Sequence, residues 1–193
     1  MAKIFRLLFC FVFASAACAQ PEAVFSQKTN EALEYCRQHD MNSDFCFLMD
    51  LSQHSGKNRF FVYSFKTKTV IAQGLVCHGT GKNSTPEKPV FSNEVGSNCS
   101  STGKFSVGKR AYSQWGIHVH YKLHGLERSN SNAFKRTVVL HSYTPVPGGE
   151  IYPSHLPMGW SLGCPVIADD LMRKIDTLLQ KTTKPTLLWI YNE

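Results

Sequence analysis

The sequence lacks the features that mark several large classes of protein. Charged residues make up 18% of its 193 residues, and glycine and proline number only 13 and 9, which excludes a disordered, collagen-like or low-complexity chain. No Cys-x-x-Cys pair is present, and this disfavours a zinc site. Beyond the N-terminus no apolar run is long enough to span a bilayer. Because 42% of the residues are hydrophobic, the chain can bury a globular core without other support.

The N-terminal segment, residues 1–19, has the organisation of a secretory signal peptide. Lys3 and Arg6 precede a short apolar run, and Ala17-Cys18-Ala19 has the small-residue pattern of a cleavage site. We therefore predict that cleavage after Ala19 releases residues 20–193 as one exported domain, in the periplasm or the cell-wall space, with no membrane span.

A second interpretation of this segment places cleavage before Cys18 and attaches a lipid to that cysteine. Residues 15–17 supply the small side chains, but the usual Leu or Val three residues upstream of the cysteine is absent. Cleavage after Ala19 is therefore the favoured prediction.

Cysteine usage follows from export to an oxidising compartment. An odd number remains after cleavage, so at least one thiol stays unpaired, either buried and inert or kept for chemistry. Four others allow two disulfides in three pairings, and Cys36 with Cys46, which flank a turn, is one candidate pair. The remaining cysteines are Cys36, Cys46, Cys77, Cys99 and Cys164.

The chain is basic, and loss of the signal peptide lowers its formal charge from +7 to +5. A basic surface suits an anionic partner such as a cell-wall polymer. The Lys and Arg residues are scattered, without the cluster or aromatic-interleaved stripe of a nucleic-acid-binding module, so no nucleic-acid partner is predicted.

Hydrophobic patterning predicts a mainly β domain with peripheral helices, since strands dominate and no β-α-β alternation is present. Two long Gly- and Pro-containing loops, at 79–108 and 142–163, have a length typical of functional loops. The predicted helices cover 29–38, capped by Thr29, and 169–180, and the predicted strands cover 45–51, 60–65, 70–76, 117–123, 137–141 and 186–191.

The strongest chemical candidate is Cys164, at the end of Ser161-Leu162-Gly163-Cys164, together with His141 at the end of an apolar strand. A thiol nucleophile needs a base, and a neutral imidazole within hydrogen-bond reach serves as one. We expect the backbone N–H groups of Gly163 and Cys164 to face a developing oxyanion. On composition alone, an inert buried cysteine near an unrelated histidine is the simpler explanation.

Other histidines carry weaker signals. His118 and His120 have the H-x-H spacing of one strand face, but no carboxylate accompanies them at ligand spacing, so a solvated face or a substrate groove is favoured over zinc. His155, in the second loop, is an alternative base on a less precise support. No metal or organic cofactor is predicted.

An ordered set of motifs resembles the murein L,D-transpeptidase catalytic domain family, a divergent branch of the YkuD-like superfamily. The signature is a strand histidine, a loop and Ser-x-Gly-Cys, here His141 and Ser161-Leu162-Gly163-Cys164-Pro165. The resemblance runs from about residue 45 to the end of the chain. Further matching positions are Val76-Cys77-His78-Gly79, Phe91-Ser92-Asn93, Gly96-Ser97, Ser100-Ser101, Thr102-Gly103-Lys104-Phe105, Gly125-Leu126-Glu127, Asn130, Asn132-Ala133 and Arg136.

This resemblance implies an L,D-transpeptidase-like β-sandwich with peripheral helices and a cysteine acyl-transfer activity on peptidoglycan stem peptides. Cys164 is the implied nucleophile, His141 the base and Ser142 the carbonyl that orients the imidazole, while Gly163 and Cys164 supply oxyanion donors. An acceptor stem peptide resolves the acyl-enzyme into a 3→3 cross-link. The predicted substrate-contacting residues are Ser161, Arg136, Leu162 and His120.

Two departures and two alternatives accompany the resemblance. Leu162 stands where the common pattern has histidine, and Pro165 follows the cysteine where that pattern soon has an arginine, whose carboxylate-binding role we assign to Arg136 or a loop cation. Water as acceptor gives an L,D-carboxypeptidase on the same scaffold, and a non-catalytic wall-binding protein is the third possibility. The catalytic interpretation also predicts a lowered pKa for Cys164 through its pairing with His141.

Overall fold

The computed structural model describes residues 20–193, so the predicted signal peptide and the alternative lipid site at Cys18 lie outside the described residues. Nine strands and two α-helices form the fold, with a short 3₁₀ helix at Arg128–Asn130. In chain order the elements are α1 (Gln20–Gln38), β1 (Phe45–Asp50), β2 (Phe60–Ser64), β3 (Thr69–Gly74), β4 (Val76–Cys77), β5 (Gly103–Tyr112), β6 (Val119–Gly125), β7 (Val139–Ser142), β8 (Val166–Ile167), α2 (Asp169–Leu179) and β9 (Thr186–Tyr191).

All nine strands belong to one sheet, in the order β3-β2-β1-β9-β5-β6-β7-β8-β4. The two edge strands, β3 and β4, are joined by the single residue Leu75, so the sheet curls until its edges nearly meet. Most neighbours are antiparallel, and the exceptions are β1 with β9 and β7 with β8. The predicted mainly β fold with peripheral helices is confirmed, its facing β layers being parts of one nearly closed sheet.

Side-chain alternation along the strands separates three apolar clusters. The largest fills the inside of the curled sheet, where Phe47, Phe105 and Leu188 meet Met172 and Ile175 of α2. The amphipathic pattern of α2 places those residues on one face of the helix. A second cluster lies between α1 and the outer face of β1, β2 and β9, and the third packs the 143–165 loop onto β4 and β8.

Several predicted boundaries differ from the structure. Helix α1 begins at Gln20, and Thr29 lies inside it, where its hydroxyl donates to the Ser26 carbonyl. The predicted 70–76 strand is two strands that pair with different neighbours, because Leu75 separates β3 from β4. Strand β5 begins inside the region predicted as the 79–108 loop.

The five cysteines at 36, 46, 77, 99 and 164 are all free thiols. The candidate disulfide between Cys36 and Cys46 is therefore not formed, although both side chains are buried in the cluster beneath α1. Within residues 20–193, no helix has the length and apolar character that a membrane span requires.

Candidate active site

Strands β7 and β8 bring the two sequence-predicted catalytic side chains together. The strands are parallel, and His141 pairs with Val166. Two residues before this pair on each segment, Val139 lies beside Cys164, and the Val139 N–H donates to Cys164 Sγ over 3.4 Å. Since side chains two residues apart share a face, His141 and Cys164 project from the same side of the sheet and line the same cavity.

The imidazole of His141 is oriented as a proton acceptor. Its side chain is only 9% exposed, and Nδ1 lies 2.9 Å from the carbonyl oxygen of Ser142. A carbonyl only accepts hydrogen bonds, so Nδ1 carries the proton and Nε2 is the free base. Burial lowers the pKa of His141, against an opposing effect of the Ser142 carbonyl, so the ring is neutral at pH 7.

Ser142 is itself held by the turn between β5 and β6. Its hydroxyl accepts the N–H of Ile117 over 3.1 Å, and Gly116, with φ +57°, packs directly on the Ser142 backbone. A Cβ at Gly116 would collide with Ser142 Oγ, so only glycine permits this approach. The sequence alone did not point to Gly116, because its contact is made across the sheet.

Cys164 is a half-buried neutral thiol rather than half of a preformed ion pair. Burial raises its pKa, while the Val139 N–H and the cations of Lys122 and Arg136 act in the opposite direction without outweighing it. Among the described residues no hydrogen bond joins Sγ to His141; the bonds of Sγ are with Val139 and the Thr137 carbonyl. The predicted lowering of the Cys164 pKa by His141 is therefore wrong.

This raised pKa predicts how the thiol reacts with iodoacetamide. In the folded protein we expect alkylation of Cys164 to be slower at pH 7 than in the unfolded chain, and to accelerate about tenfold per pH unit beyond pH 8, because only the thiolate reacts. Peptide mapping by mass spectrometry measures the rate at Cys164 separately from the other thiols. A rate already constant between pH 6 and pH 8 would instead indicate a preformed thiolate.

The Ser161 side chain forms hydrogen bonds within the short segment that leads to Cys164. The buried Ser161 hydroxyl accepts the N–H of Gly163 over 3.0 Å and donates to the carbonyl of Cys164 over 2.6 Å. The N–H of Cys164 has no acceptor among the described residues, which leaves it available to an oxyanion. The role of the Gly163 N–H as a second oxyanion donor stays a prediction. To serve as one, this N–H must exchange its hydrogen bond to the Ser161 hydroxyl for one to the oxyanion.

Gly163 fits where another residue would not. Its φ is +111°, and a Cβ there would lie 2.6 Å from the Cys99 carbonyl oxygen and 3.1 Å from Arg136 Nη2. Arg136 donates to the carbonyls of Ser92 and Cys99 and to the Ser101 hydroxyl, and so fixes the 92–101 segment beneath Gly163. Arg136 is not among the residues that line the cavity, and its role toward a substrate carboxylate stays a prediction.

Replacing Gly163 with alanine tests this close packing. We expect Gly163→Ala to lower the free energy of unfolding by about 1–3 kcal/mol, because of its positive φ and the Cβ overlap, and to reduce turnover by displacing Cys164. Chemical denaturation and a kinetic assay measure both effects. Gly149→Ala is the matched control, since a Cβ there meets no atom within 4 Å. Equal stability of both variants would contradict the predicted clash.

A cavity of about 460 Å³ opens beside Cys164 and His141. Leu162 is 64% exposed at its edge and His120 lies on its wall, next to His141 in the β6–β7 pairing. Both therefore lie where a substrate-contacting residue must be. Ser161 also lines the cavity, but its hydroxyl is hydrogen-bonded to the backbone of Gly163 and Cys164. The remaining lining residues are Tyr112, Ser113, Gln114, Trp115, Thr137, Val139, Tyr143, Gly159 and Trp160.

Sequence reasoning missed Lys122, which pairs with Val139 across β6 and β7 and influences the charge state of Cys164. Its ammonium group lies 4.8 Å from the Phe134 ring centre. The sequence does not indicate that Lys122 affects Cys164, because strand pairing decides which side chains lie near this lysine.

The other candidate histidines lie elsewhere. His118 has φ +61° and precedes β6, so it does not share a strand face with His120 as predicted. The His155 ring stacks on His54 with ring centres 3.7 Å apart, and its Nδ1 is hydrogen-bonded to the Ser55 hydroxyl. His155 therefore joins the 143–165 loop to residues 54–55 and does not line the cavity beside Cys164. Within residues 20–193, no group of three or more His, Cys, Asp or Glu side chains is arranged to hold a metal ion.

The family model for the L,D-transpeptidase catalytic domain (YkuD_2) matches residues 19–191. The chain belongs to this family. This membership connects the protein to peptidoglycan chemistry. No curated protein matches this sequence closely enough to count as a relative.

Solved structures with a similar fold share little sequence with the chain. The helical cell shape determining protein Pgp2 of Campylobacter jejuni, as its K307A mutant, aligns at 11% identity and TM-score 0.49, over 78% of this chain and 48% of its own. Bd1075 of Bdellovibrio bacteriovorus aligns at 14% identity and TM-score 0.47, over 80% and 50%. An L,D-transpeptidase of Xylanimonas cellulosilytica aligns at 12% identity and TM-score 0.40, over 76% and 60%. The chain thus spans half to three fifths of these structures.

Proposed function

We propose that the protein is an exported, cysteine-dependent L,D-transpeptidase that forms 3→3 cross-links between peptidoglycan stem peptides. The observation that carries this proposal is the arrangement of Cys164 and His141 on neighbouring parallel strands, lining one cavity. The neutral thiol and the free Nε2 of the neutral imidazole are the two protonation states that the first step requires.

In the first step His141 Nε2 takes the proton of the Cys164 thiol as Sγ bonds to the carbonyl carbon of the L-residue before the scissile bond. The carbonyl electron pair moves to oxygen, where the Cys164 N–H faces the developing charge. The carbon–nitrogen bond then breaks, and the leaving D-amino acid takes the proton from His141. A thioester on Cys164 remains.

In the second step an acceptor amine attacks this thioester and gives its proton to His141. The carbon–sulfur bond breaks, Cys164 regains the proton, and a new amide joins the two stem peptides. Water in place of the amine gives an L,D-carboxypeptidase with the same residues in the same roles. The basic exported domain predicted from the sequence meets both the donor and the acceptor peptides in the cell wall.

The test is incubation of the mature protein with a disaccharide-tetrapeptide muropeptide, followed by mass spectrometry. We expect a cross-linked dimer with loss of one D-amino acid. A trimmed tripeptide without dimer would overturn transpeptidation in favour of the carboxypeptidase. An unchanged muropeptide, with an intact fold and in the presence of excess acceptor, would favour the non-catalytic wall-binding alternative.

A further inference from the structure

Three aromatic side chains form one wall of the cavity beside Cys164. Trp115 comes from the turn between β5 and β6, Tyr143 follows β7, and Trp160 lies in the loop before the nucleophile. The Trp115 and Tyr143 ring centres are 5.6 Å apart, and those of Tyr143 and Trp160 are 5.7 Å apart, both edge to face. We call these three residues the aromatic wall.

The cavity edge beside this wall exposes unusually large apolar groups. Trp115 is 47% exposed and Tyr112 is 74% exposed, and both line the same cavity as Leu162. Exposed apolar groups gathered at a concave surface mark a binding site, because a ligand that covers them removes apolar area from water. The cavity volume of about 460 Å³ lies within the roughly 300–1,000 Å³ range of small-molecule sites.

The chemistry of the lining selects the kind of ligand. Among the described residues, none that lines the cavity is Lys, Arg, Asp or Glu. A carboxylate or an ammonium group entering it loses hydration without gaining an ion pair. Neutral polar groups are present in Ser113, Gln114 and Thr137. The matching ligand is therefore uncharged, with one apolar face and an edge of hydrogen-bonding groups.

We propose that the aromatic wall binds an N-acetylated sugar ring of the glycan strand, so that the donor is recognised through its glycan as well as its peptide. This inference rests on the proposed function. A pyranose presents a face of C–H groups that packs on an aromatic ring, and its hydroxyl and acetamido groups reach neutral donors and acceptors. The stem peptide enters the same cavity toward Cys164, but its carboxylates gain no ion pair from the uncharged aromatic wall.

The distance from glycan to scissile bond is compatible with this placement. Three residues of extended chain, the number between the sugar and the scissile carbonyl, span about 10–11 Å. A sugar on the aromatic wall therefore leaves the carbonyl free to reach Cys164 in the same cavity. Binding at the wall orients the donor and contributes to its affinity without entering the bond-making step.

The first experiment measures binding without turnover. Calorimetric titration of the wild-type protein with β-1,4-linked di-N-acetylglucosamine, which carries no charge and no peptide, is expected to show saturable binding. Trp115→Ala and Trp160→Ala are each expected to raise Kd about tenfold, and Trp115→Tyr to restore much of the loss. Tyr152→Ala, an exposed aromatic in the same loop outside the cavity, is the control and is expected to have no effect.

The second experiment compares donors. For the wild-type protein we expect KM to be about tenfold lower for the disaccharide-tetrapeptide than for the free tetrapeptide, at similar kcat, and Trp115→Ala to erase the difference. Equal KM values with no disaccharide binding would overturn the sugar site and leave the proposed function standing. Disaccharide binding without turnover of either donor would support the sugar site and overturn the proposed function. Binding of the free tetrapeptide but not the disaccharide would assign the wall to peptide and also overturn the proposal.

Discussion

Replacing Cys164 with alanine is expected to lower kcat for muropeptide turnover by at least about 10⁴-fold, because no other group in the cavity can form the thioester. The side chain is only partly buried, so the loss of one sulfur atom leaves the packing of the strands almost unchanged. Mass spectrometry of the muropeptide products measures the effect. The same measurement detects an acyl-enzyme on the wild-type protein and none on the variant.

The matched control for this substitution is Cys36→Ala, which removes a buried thiol from the inner face of α1, in a different apolar cluster. We expect it to retain turnover, with a small loss of stability from the cavity it leaves. Residual activity of Cys164→Ala within tenfold of wild type would exclude the covalent mechanism. Thermal unfolding of both variants separates loss of chemistry from loss of fold.

Replacing His141 with asparagine is expected to lower kcat by about 10²–10⁴-fold at pH 7. The asparagine amide keeps a donor near the position of Nδ1, toward the Ser142 carbonyl, and removes the base at Nε2. Because the pKa of His141 is lowered by burial, wild-type activity should persist below pH 6.5 and decline only as the ring becomes protonated. The variant should lack this acid limb and recover activity as rising pH ionises Cys164.

A full pH–rate profile of kcat/KM measures this prediction. His39→Gln, at the exposed end of α1, is the control for removal of a histidine and should leave the profile unchanged. If the acid limb survived in His141→Asn, another group would be the base, and the most accessible candidate would be His120, which shares the cavity wall.

The candidate pair, Cys164 and His141, was predicted through the family resemblance, because on composition alone an inert cysteine is the simpler explanation. His141 ends an apolar run that must form a strand, and Cys164 ends a Ser-x-Gly-Cys segment that needs a positive φ at its glycine. The residues that support them were not predictable. Gly116 reaches Ser142 through the β5–β6 turn, and Lys122 meets Val139 by strand register, so both depend on tertiary pairing.

Fold prediction failed where tertiary structure overrides local composition. Strand β5 starts among small residues, and its outer end, with Lys109 and Arg110, is exposed, so its sequence resembles a loop. The strand is stabilised by pairing with β6 and β9 instead. The two-residue strands β4 and β8 are too short to show any period. They exist because β8 pairs with both β7 and β4 in the curled sheet, and β4 pairs with β8 at its edge.

The pKa of Cys164 shows a second limit of sequence reasoning. A nearby histidine suggests an activated thiolate, but the sign of the shift depends on burial, which a sequence does not reveal. Here desolvation outweighs the nearby cations, so the pKa of Cys164 is raised rather than lowered.

The parallel pairing of β7 with β8 has a consequence for how the site can diversify. Cys164 and His141 take their relative position from strand register, in which a slip of one residue would turn Cys164 to the opposite face. Between these strands, Val146 and Leu156 pack onto β4 and β8, whereas residues 148–149 are exposed. Doubling the length of a flexible loop costs only about 0.6 kcal/mol. Insertions at residues 148–149 can therefore lengthen this loop while Cys164 and His141 stay in place, so the loop and the site are free to vary separately.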